Sequence, residues 1–282
     1  MATIKVIDSG FSTAVIDWGR RGFQSSGVPV SGPMDQISFK LANSILNNFE
    51  GAACLECTLL GPTLQFDAPT VVCLTGADME ISLNGEAEQS YKPILIQAGD
   101  ELKLGKCIDG VRSYLAIKHG FHSPEVLGSK SFFYPVTEQS FLTQGNTLEY
   151  SADDRTKHQM YVRIKTPDHW KKEHLWVRKG PEWALVEDQI DRLIDKPLII
   201  GPNNRMGYRI ESQLEHEPTG MYSSAVIMGT VQLTPSGQLL VAAADCQVTG
   251  GYPRVLLLDQ IGMSMLSQKR TGQTIYFNWK KA

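Results

Sequence analysis

Two stretches in the second half of the chain combine charged side chains with glycine, a combination typical of anion-binding sites. The first, "GPNNRMGYRIESQ", contains Arg205 and Arg209, and the second, "DCQVTGGYPR", runs from Asp245 through Gly250 and Gly251. Arginine presents a planar fork of N–H donors that matches a carboxylate or a phosphate, and backbone amides next to glycine bind the same anions. The two stretches therefore predict a site for a small anionic ligand.

The consecutive glycines of the second stretch need an explanation, because glycine loses more conformational freedom on folding than any other residue. One explanation is a tight turn ahead of the hydrophobic run "VLLL", with Pro253 setting the angle of entry. The alternative is a backbone cradle that a ligand approaches closely, lined by Asp245, Gln247 and Thr249. We favour the cradle.

Two further stretches are rich in polar side chains, "DWGRRGFQSSGVPVSGPMD" in the first half and "MYSSAVIMGTVQLTPSG" in the second. Each has a structural alternative, because surface loops and solvated strands have the same composition. The candidate substrate-binding residues of all four stretches are Arg20, Gln24, Ser31, Tyr208, Arg209, Ser223, Gln232, Gln247, Thr249, Gly250 and Gly251.

Several common catalytic motifs are absent from the sequence. "GSKS" at 128–131 lacks the glycine before lysine that a phosphate-binding loop requires, so we expect no ATP hydrolysis by this chain alone. The sequence has no G-x-S-x-G elbow and no H-E-x-x-H helix, which argues against a serine hydrolase and a zinc protease. Cys54-x-x-Cys57 lies in "AACLECTLL", which reads as a strand whose positions three apart face opposite sides, so we predict no metal site there.

Composition limits the partners and the compartment. The chain has 282 residues, with 27 Lys+Arg against 30 Asp+Glu, and its net charge of -3 gives no reason to expect nucleic acid or an anionic membrane as partner. No apolar run approaches the roughly 18 residues of a membrane span. The five scattered cysteines are poor material for a disulfide framework. These features predict a cytoplasmic protein that binds small molecules and proteins.

Hydrophobic patterning predicts a mainly β chain with a few helices. Short runs rich in β-branched and aromatic residues recur about every dozen residues, separated by Gly, Asn, Asp and Pro, which favours sandwiches or barrels. Helices are predicted for "PMDQISFKLANSILNN", "PEWALVEDQIDRLI" and "LDQIGMSMLSQK". The first should bury Ile37, Leu41, Ile45 and Leu46, with Asp35 at its positively polarised end. A polar stretch at 149–159 is a candidate linker.

The order of these motifs resembles one bacterial family. "DWGRRGFQSSGVPVSGPMD", "LECTLLGPTLQF", "TGADMEISLNG", "GVRSYLAIKHGFHSPEVLGSKS", "NRMGYRI", "SSAVIMGTVQLTPSG" and "ADCQVTGGYPRVLL" follow one another as in the family of the C subunit of 5-oxoprolinase. That family is also described as allophanate hydrolase subunit 2, as the antagonist of a sporulation-kinase inhibitor, and as part of the carboxyltransferase domain of urea carboxylase. The resemblance covers essentially the whole chain.

The resemblance implies a fold of two cyclophilin-like β-barrel subdomains, at 1–155 and 156–282, with a first strand that could pair with the other barrel. It also implies partners, namely the related B subunit and the A subunit of 5-oxoprolinase. The assembled complex uses ATP with Mg²⁺ to open 5-oxoproline to L-glutamate, and no cofactor is expected on this chain alone.

Within such a complex we expect catalytic roles for Asp245, Arg205 and Asp35. Arg205 and Arg209 would hold a substrate carboxylate or stabilise a developing oxyanion, and Asp245 or Asp35 would orient water. Two alternatives stay open. One is a carboxyltransferase module acting on carboxybiotin and a urea-like acceptor, and the other is a non-catalytic antagonist of a kinase inhibitor.

Overall fold

The computed structural model describes residues 1–153, 166–212, 214–215 and 221–280. The chain divides into two compact units, the first comprising Met1–Arg20 and Ser31–Pro167, the second Arg21–Val30 and Asp168–Ala282. The boundary expected between residues 155 and 156 lies outside the described residues, as does part of the candidate linker at 149–159. The sequence carried no sign that 21–30 would group with the second unit.

The first unit is built on one nine-stranded sheet, ordered β2-β3-β8-β4-β1-β9, with β5 pairing β6, β7 and β8. The first strand, for which pairing with the other barrel was an open possibility, pairs here with β4 and β9 of its own unit. The strands are β1 (Ala2–Asp8), β2 (Ser12–Ile16), β3 (Cys54–Thr58), β4 (Thr63–Phe66), β5 (Thr70–Leu83), β6 (Glu86–Ala87), β7 (Ile94–Ile96), β8 (Glu101–Ile117) and β9 (Thr147–Tyr150).

The second unit contains a closed seven-stranded barrel in the order β10-β17-β14-β15-β12-β11-β18, and a separate two-stranded ribbon of β13 and β16. Alternate residues of its strands fill the barrel interior, as the period of two in a strand requires. The strands are β10 (His174–Lys179), β11 (Pro197–Asn203), β12 (Gly207–Glu211), β13 (Ser224–Ala225), β14 (Thr230–Leu233), β15 (Leu239–Ala242), β16 (Thr249–Gly250), β17 (Arg254–Leu258) and β18 (Thr274–Trp279).

The predicted fold class, mainly β with a few helices and two β-barrel subdomains, is confirmed. The first subdomain is a curled half-barrel sheet, and the second is the closed barrel. Two α-helices occur in the described residues, α1 (Gln36–Ile45) and α2 (Gln260–Leu266). No helix among those residues is both long and apolar enough to span a membrane.

Helix α1 forms inside the predicted segment 33–48 and runs from Gln36 to Ile45. Asp35 is its N-cap, and the carboxylate accepts a hydrogen bond from the Ser38 backbone N–H at 3.1 Å. The face packed on β5 and β8 carries Phe39, Ala42 and Ile45. Of the four residues expected to be buried, Ile45 and Leu46 are buried, whereas Ile37 and Leu41 are only partly buried.

The helix predicted for "PEWALVEDQIDRLI" is wrong. This segment forms two short 3-10 helices, Trp183–Leu185 and Glu187–Arg192, and the second is interrupted at Gln189 by non-helical angles of φ -108° and ψ 19°. The Gln189 side chain donates to the Glu215 carbonyl at 2.6 Å and accepts from the Glu215 N–H at 2.8 Å. These tertiary hydrogen bonds compete with the helical geometry that the hydrophobic pattern alone favoured.

Cys54 and Cys57 lie on β3 and face opposite sides of the sheet, as a strand requires. The Cys54 sulfur is 3.3 Å from the Asn43 amide of α1, whereas Cys57 belongs to the core of the sheet. All five cysteines of the chain are buried and free of disulfides. Burial raises the pKa of the Cys73 thiol to about 12 and that of Cys246 to about 11, so both thiols stay protonated at neutral pH.

Candidate functional site

Two loops of the second unit meet at one end of the β12–β15 pair. Gly207, which opens β12, is paired with Ala242, which closes β15. The turn before β12 and the segment after β15 therefore leave the barrel side by side, and the Asp245 N–H donates to the Arg205 carbonyl at 2.8 Å. The register of the barrel thus places the two stretches singled out in the sequence next to each other.

Arg205 and Asp245 form a two-pronged ion pair across these loops. The Arg205 Nε lies 2.7 Å from one carboxylate oxygen of Asp245, and Nη2 lies 2.9 Å from the other. The side chains are only 13% and 11% exposed, which shields the pair from solvent screening. Because both carboxylate oxygens are engaged, the geometry favours a role in positioning the loops. Anion binding by Arg205 and water activation by Asp245 stay predictions that require the pair to open.

A surface cavity of about 490 Å³ opens beside this pair and is lined by Arg209 and Gln247. Arg209 points outward from β12, while its neighbour Tyr208 is fully buried in the barrel. The burial of Tyr208 favours packing over the predicted contact with substrate. The other residues that line the cavity are Pro202, Asn203, Asn204, Met206, Gly207 and Leu240.

Gly250 lies against the side chain of Gln232. Neither Gly250 nor Gly251 has a positive φ. A Cβ added at Gly250 would lie 2.8 Å from the Gln232 Nε2 atom, whereas one at Gly251 would meet nothing closer than the Met221 carbonyl at 3.6 Å. The close approach expected of this glycine is therefore made by the chain's own Gln232. Whether a ligand also approaches the cradle stays a prediction.

The carboxamide of Gln232 is buried beneath the β13–β16 ribbon. Its Nε2 donates to the Tyr252 carbonyl at 3.4 Å, and its Oε1 has no hydrogen-bond partner among the described residues. The Ser224 hydroxyl of the ribbon is likewise buried without a partner in that part of the chain. Buried polar groups are usually hydrogen-bonded, so the Gln232 Oε1 and the Ser224 hydroxyl each have unused hydrogen-bonding capacity beside the ribbon. Thr249 of the ribbon is exposed, as is Ser223 just before it.

Arg254 anchors the ribbon to the barrel. Its Nη1 donates to the Ala225 carbonyl at 3.1 Å, and its Nε and Nη2 bind the two carboxylate oxygens of Glu182 at 3.0 and 2.8 Å. The hydrogen bonds from Arg254 hold the pKa of the Glu182 carboxyl below its usual value of 4.5.

We expect Glu182→Gln to lower the free energy of unfolding by about 1–2 kcal/mol at pH 7, between the values typical of exposed and of buried pairs. Because the folded-state pKa is lowered, the carboxylate stabilises the fold above its unfolded pKa, and this stabilisation is lost as the pH falls through the folded pKa. The difference between wild type and variant should therefore shrink below pH 4.5. Urea unfolding measured at several pH values checks this, with Glu50→Gln at the exposed pair with Lys40 as the control. A difference that does not change with pH would contradict the ionic origin.

In the first unit, Asp35 belongs to a buried hydrogen-bond network. Its N–H donates to the Tyr114 hydroxyl at 2.7 Å, and that hydroxyl donates to the Glu56 Oε2 atom at 2.6 Å. The Met34 N–H donates to the same carboxylate oxygen at 3.0 Å. Asp35 is fully buried and also caps α1. The structure therefore shows a positioning role for Asp35, and water activation by it stays a prediction.

Arg20 and the "GSKS" stretch meet in a second buried cluster of the first unit. The fully buried Arg20 guanidinium donates to the Ser131 carbonyl. Asp17 accepts hydrogen bonds from the Ser129 hydroxyl at 2.6 Å, the Lys130 N–H at 2.7 Å and the Ser131 hydroxyl at 2.8 Å. The "GSKS" stretch, which superficially resembles a phosphate-binding loop, is thus hydrogen-bonded to the carboxylate of Asp17. These hydrogen bonds account for its polar composition without a bound phosphate.

Ser31 and Gln24, the remaining candidates, differ sharply in environment. Ser31 is fully buried with a left-handed φ of 56°, and its hydroxyl has no hydrogen-bond partner among the described residues. Both features are unfavourable, and they occur together most often at functional positions. Gln24 is exposed at the start of a short 3-10 helix, Gln24–Ser26, and accepts from the Gly22 N–H at 3.0 Å.

Sequence reasoning missed Glu56, Tyr114 and the pair formed by Glu182 and Arg254. Glu56 carried a signal, because an acidic residue inside the apolar run "CLECT" is costly to bury without partners. The described residues contain no cluster of three or more His, Cys, Asp or Glu side chains that could hold a metal ion.

Comparison with known proteins relates the whole chain to two groups of enzymes. It is 32% identical to the 5-oxoprolinase C subunit of Escherichia coli (strain K12), over 97% of this chain and 90% of that protein. It is 40% identical to urea amidolyase of Saccharomyces cerevisiae (strain ATCC 204508 / S288c) over 46% of this chain and 7% of that protein.

Solved structures show the same fold. The crystal structure of TTHA0988 superposes with a TM-score of 0.88 and 28% identity, covering 99% of this chain. The chain spans 56% of the length of TTHA0988. The Kluyveromyces lactis urea amidolyase gives a TM-score of 0.84 and 26% identity over 98% of this chain and 18% of that one.

The family model described as carboxyltransferase domain, subdomain A and B, matches residues 26–279. This match spans both units and includes all the candidate residues of the second unit except Gln24, which lies two positions before it. The chain belongs to the carboxyltransferase-domain family that includes the C subunit of 5-oxoprolinase.

Proposed function

We propose that this chain is a component of an ATP-dependent 5-oxoprolinase that opens 5-oxoproline to L-glutamate. The observation that carries the proposal is the 32% identity to the C subunit of 5-oxoprolinase over 97% of this chain and 90% of that protein. The same name belongs to a Haemophilus influenzae relative that is 30% identical over the same shares of both chains.

The candidate site is chemically compatible with this substrate. 5-Oxoproline is a small cyclic amide with one carboxylate, and the cavity of about 490 Å³ offers an arginine, Arg209, and a carboxamide, Gln247. A guanidinium fork complements a carboxylate, and a carboxamide both donates to and accepts from an amide. A catalytic contribution from Arg205 or Asp245 would arise in the assembled complex.

The proposal includes partner subunits and a compartment. The chain would act with the related B subunit and with the A subunit of 5-oxoprolinase, and the assembled complex would use ATP with Mg²⁺. It would work in the cytoplasm, where its five free cysteines stay reduced.

A second candidate is a carboxyltransferase module that acts on carboxybiotin and a urea-like acceptor. It is favoured by the description of the family model and by the similarity to urea amidolyase. That similarity in sequence covers 46% of this chain, less than the match to the oxoprolinase subunits.

The test is ATP-dependent release of glutamate from 5-oxoproline by purified chains. The chain is assayed alone, with the products of adjacent genes that resemble the A and B subunits, and with each of these omitted. We expect release only when all subunits and hydrolysable ATP are present. A correctly assembled complex that releases no glutamate would refute the proposal, and carboxylation of urea by the chain with a biotin carboxylase partner would establish the second candidate.

A further inference from the structure

We propose that this chain, without partner subunits, binds a small carboxylate in the cavity beside β12, with Arg209 holding the carboxylate and Gln247 contacting an adjacent amide. This inference rests on the proposed function, because it assigns the residues that recognise its substrate. It adds that the isolated chain already recognises the ligand, because Arg209 and Gln247, the two groups assigned to contact it, both belong to this chain.

Arg209 is available to a ligand, unlike two other arginines of the same unit. Arg205 is held by Asp245, and Arg254 is held by Glu182. The Arg209 guanidinium has no ion pair or hydrogen bond with another side chain in the part of the chain that the structure describes, and the alternation of β12 directs it outward. A guanidinium that keeps all five donors beside a concave surface is suited to a planar anion.

Gln247 is the second free polar group of the cavity. Its carboxamide makes no hydrogen bond to the described residues, and its Nε2 lies 3.6 Å from the position of a Cβ at Gly250. The two asparagines of the cavity are engaged instead, because Asn203 donates to the Gly201 carbonyl at 3.3 Å and Asn204 accepts from the Met206 N–H at 2.8 Å. Because the asparagines are used to shape the turn, Gln247 is the carboxamide assigned to hydrogen-bond with the amide of a ligand.

The two free groups lie close in sequence to the two residues of one ion pair. Arg209 follows the turn that contains Arg205, and Gln247 follows Asp245 in the adjacent segment. The ion pair between Arg205 and Asp245 ties the turn and the segment together, so the backbone segments that carry Arg209 and Gln247 are held next to each other before a ligand arrives. The volume of about 490 Å³ falls in the ordinary range for small-molecule sites.

The experiment measures binding of two matched probes to the isolated full chain, by calorimetry and by ligand-observed NMR. The probes are 5-oxoproline and its neutral carboxamide, which differ only in the charged group. We expect the wild-type chain to bind 5-oxoproline at least roughly tenfold more tightly, because a hydrogen-bonded ion pair is lost with the amide. Arg209→Gln should abolish that preference, whereas Gln247→Ala should weaken the binding of both probes.

Arg178→Gln is the matched control, because Arg178 is an exposed arginine on β10 that does not line the cavity. It should keep wild-type affinity for both probes, and equal unfolding midpoints should show that all variants are folded. An Arg209→Gln chain that still prefers 5-oxoproline would overturn the assignment, and so would carboxylate binding that appears only with partner subunits. Arginine-dependent binding by the isolated chain, combined with no glutamate release by the assembled complex, would refute the proposed function and leave the carboxylate site standing.

Discussion

Replacing Tyr114 by phenylalanine should lower the free energy of unfolding by about 2–4 kcal/mol. This is the summed cost of leaving two buried groups, the Asp35 N–H and the Glu56 carboxylate, each short of one hydrogen bond. The Tyr114 hydroxyl accepts from the Asp35 N–H at 2.7 Å and donates to Glu56 at 2.6 Å. All three side chains are buried, so water cannot replace the missing hydroxyl. Burial and the adjacent Glu56 carboxylate raise the pKa of Tyr114, which therefore stays protonated and able to donate.

Urea unfolding at neutral pH measures this effect, and Tyr134→Phe provides the control because Tyr134 is 67% exposed. The control should change stability by less than about 0.5 kcal/mol. The activity of the assembled enzyme gives a second readout, because the network holds the backbone of Asp35 in place. A loss of kcat in Tyr114→Phe, measured where the variant is fully folded, would support a catalytic role for Asp35. Wild-type stability in the variant would show that the network does not stabilise the first unit.

Arg205→Ala and Asp245→Ala should each lower the free energy of unfolding by about 2–3 kcal/mol, between the costs of breaking exposed and fully buried pairs. Each single change leaves a poorly solvated charge without its partner, whereas the double variant leaves none. We therefore expect the double variant to be no less stable than the worse single variant, with a coupling energy of at least about 1 kcal/mol. Arg192 and Glu215, a pair exposed by 54% and 86%, supply the control cycle and should show little coupling.

The same variants separate positioning from catalysis at this pair. If the pair only shapes the cavity, the variants should raise KM for 5-oxoproline and leave kcat unchanged. If Asp245 activates water, Asp245→Asn should instead lower kcat and leave KM nearly unchanged. If the losses of stability in the two single variants add up in the double variant, the side chains act independently, contrary to their geometry.

Local signals in the sequence were sufficient for much of the secondary structure. The apolar spacing and an acidic residue, Asp35, near the positively polarised end predicted α1, and the helix α2 also formed where expected, with Asp259 as its N-cap. These features depend on neighbours within a few residues, so they can be read from the chain. The segment 181–194 shows the limit of such signals, because hydrogen bonds between Gln189 and the distant Glu215 broke the predicted helix.

The sequence by itself determined the mainly β class, the family resemblance and the residue types of the candidate site. Only the tertiary structure decided which of those residues meet. Strand register placed Arg205 against Asp245 forty residues away, brought Gln232 under Gly250, and turned Tyr208 inward while leaving Arg209 free. The physical reason is that a barrel is closed by pairings between strands distant in sequence, and a shift of one residue in register exchanges the two faces of a strand. The composition of a strand does not encode that register.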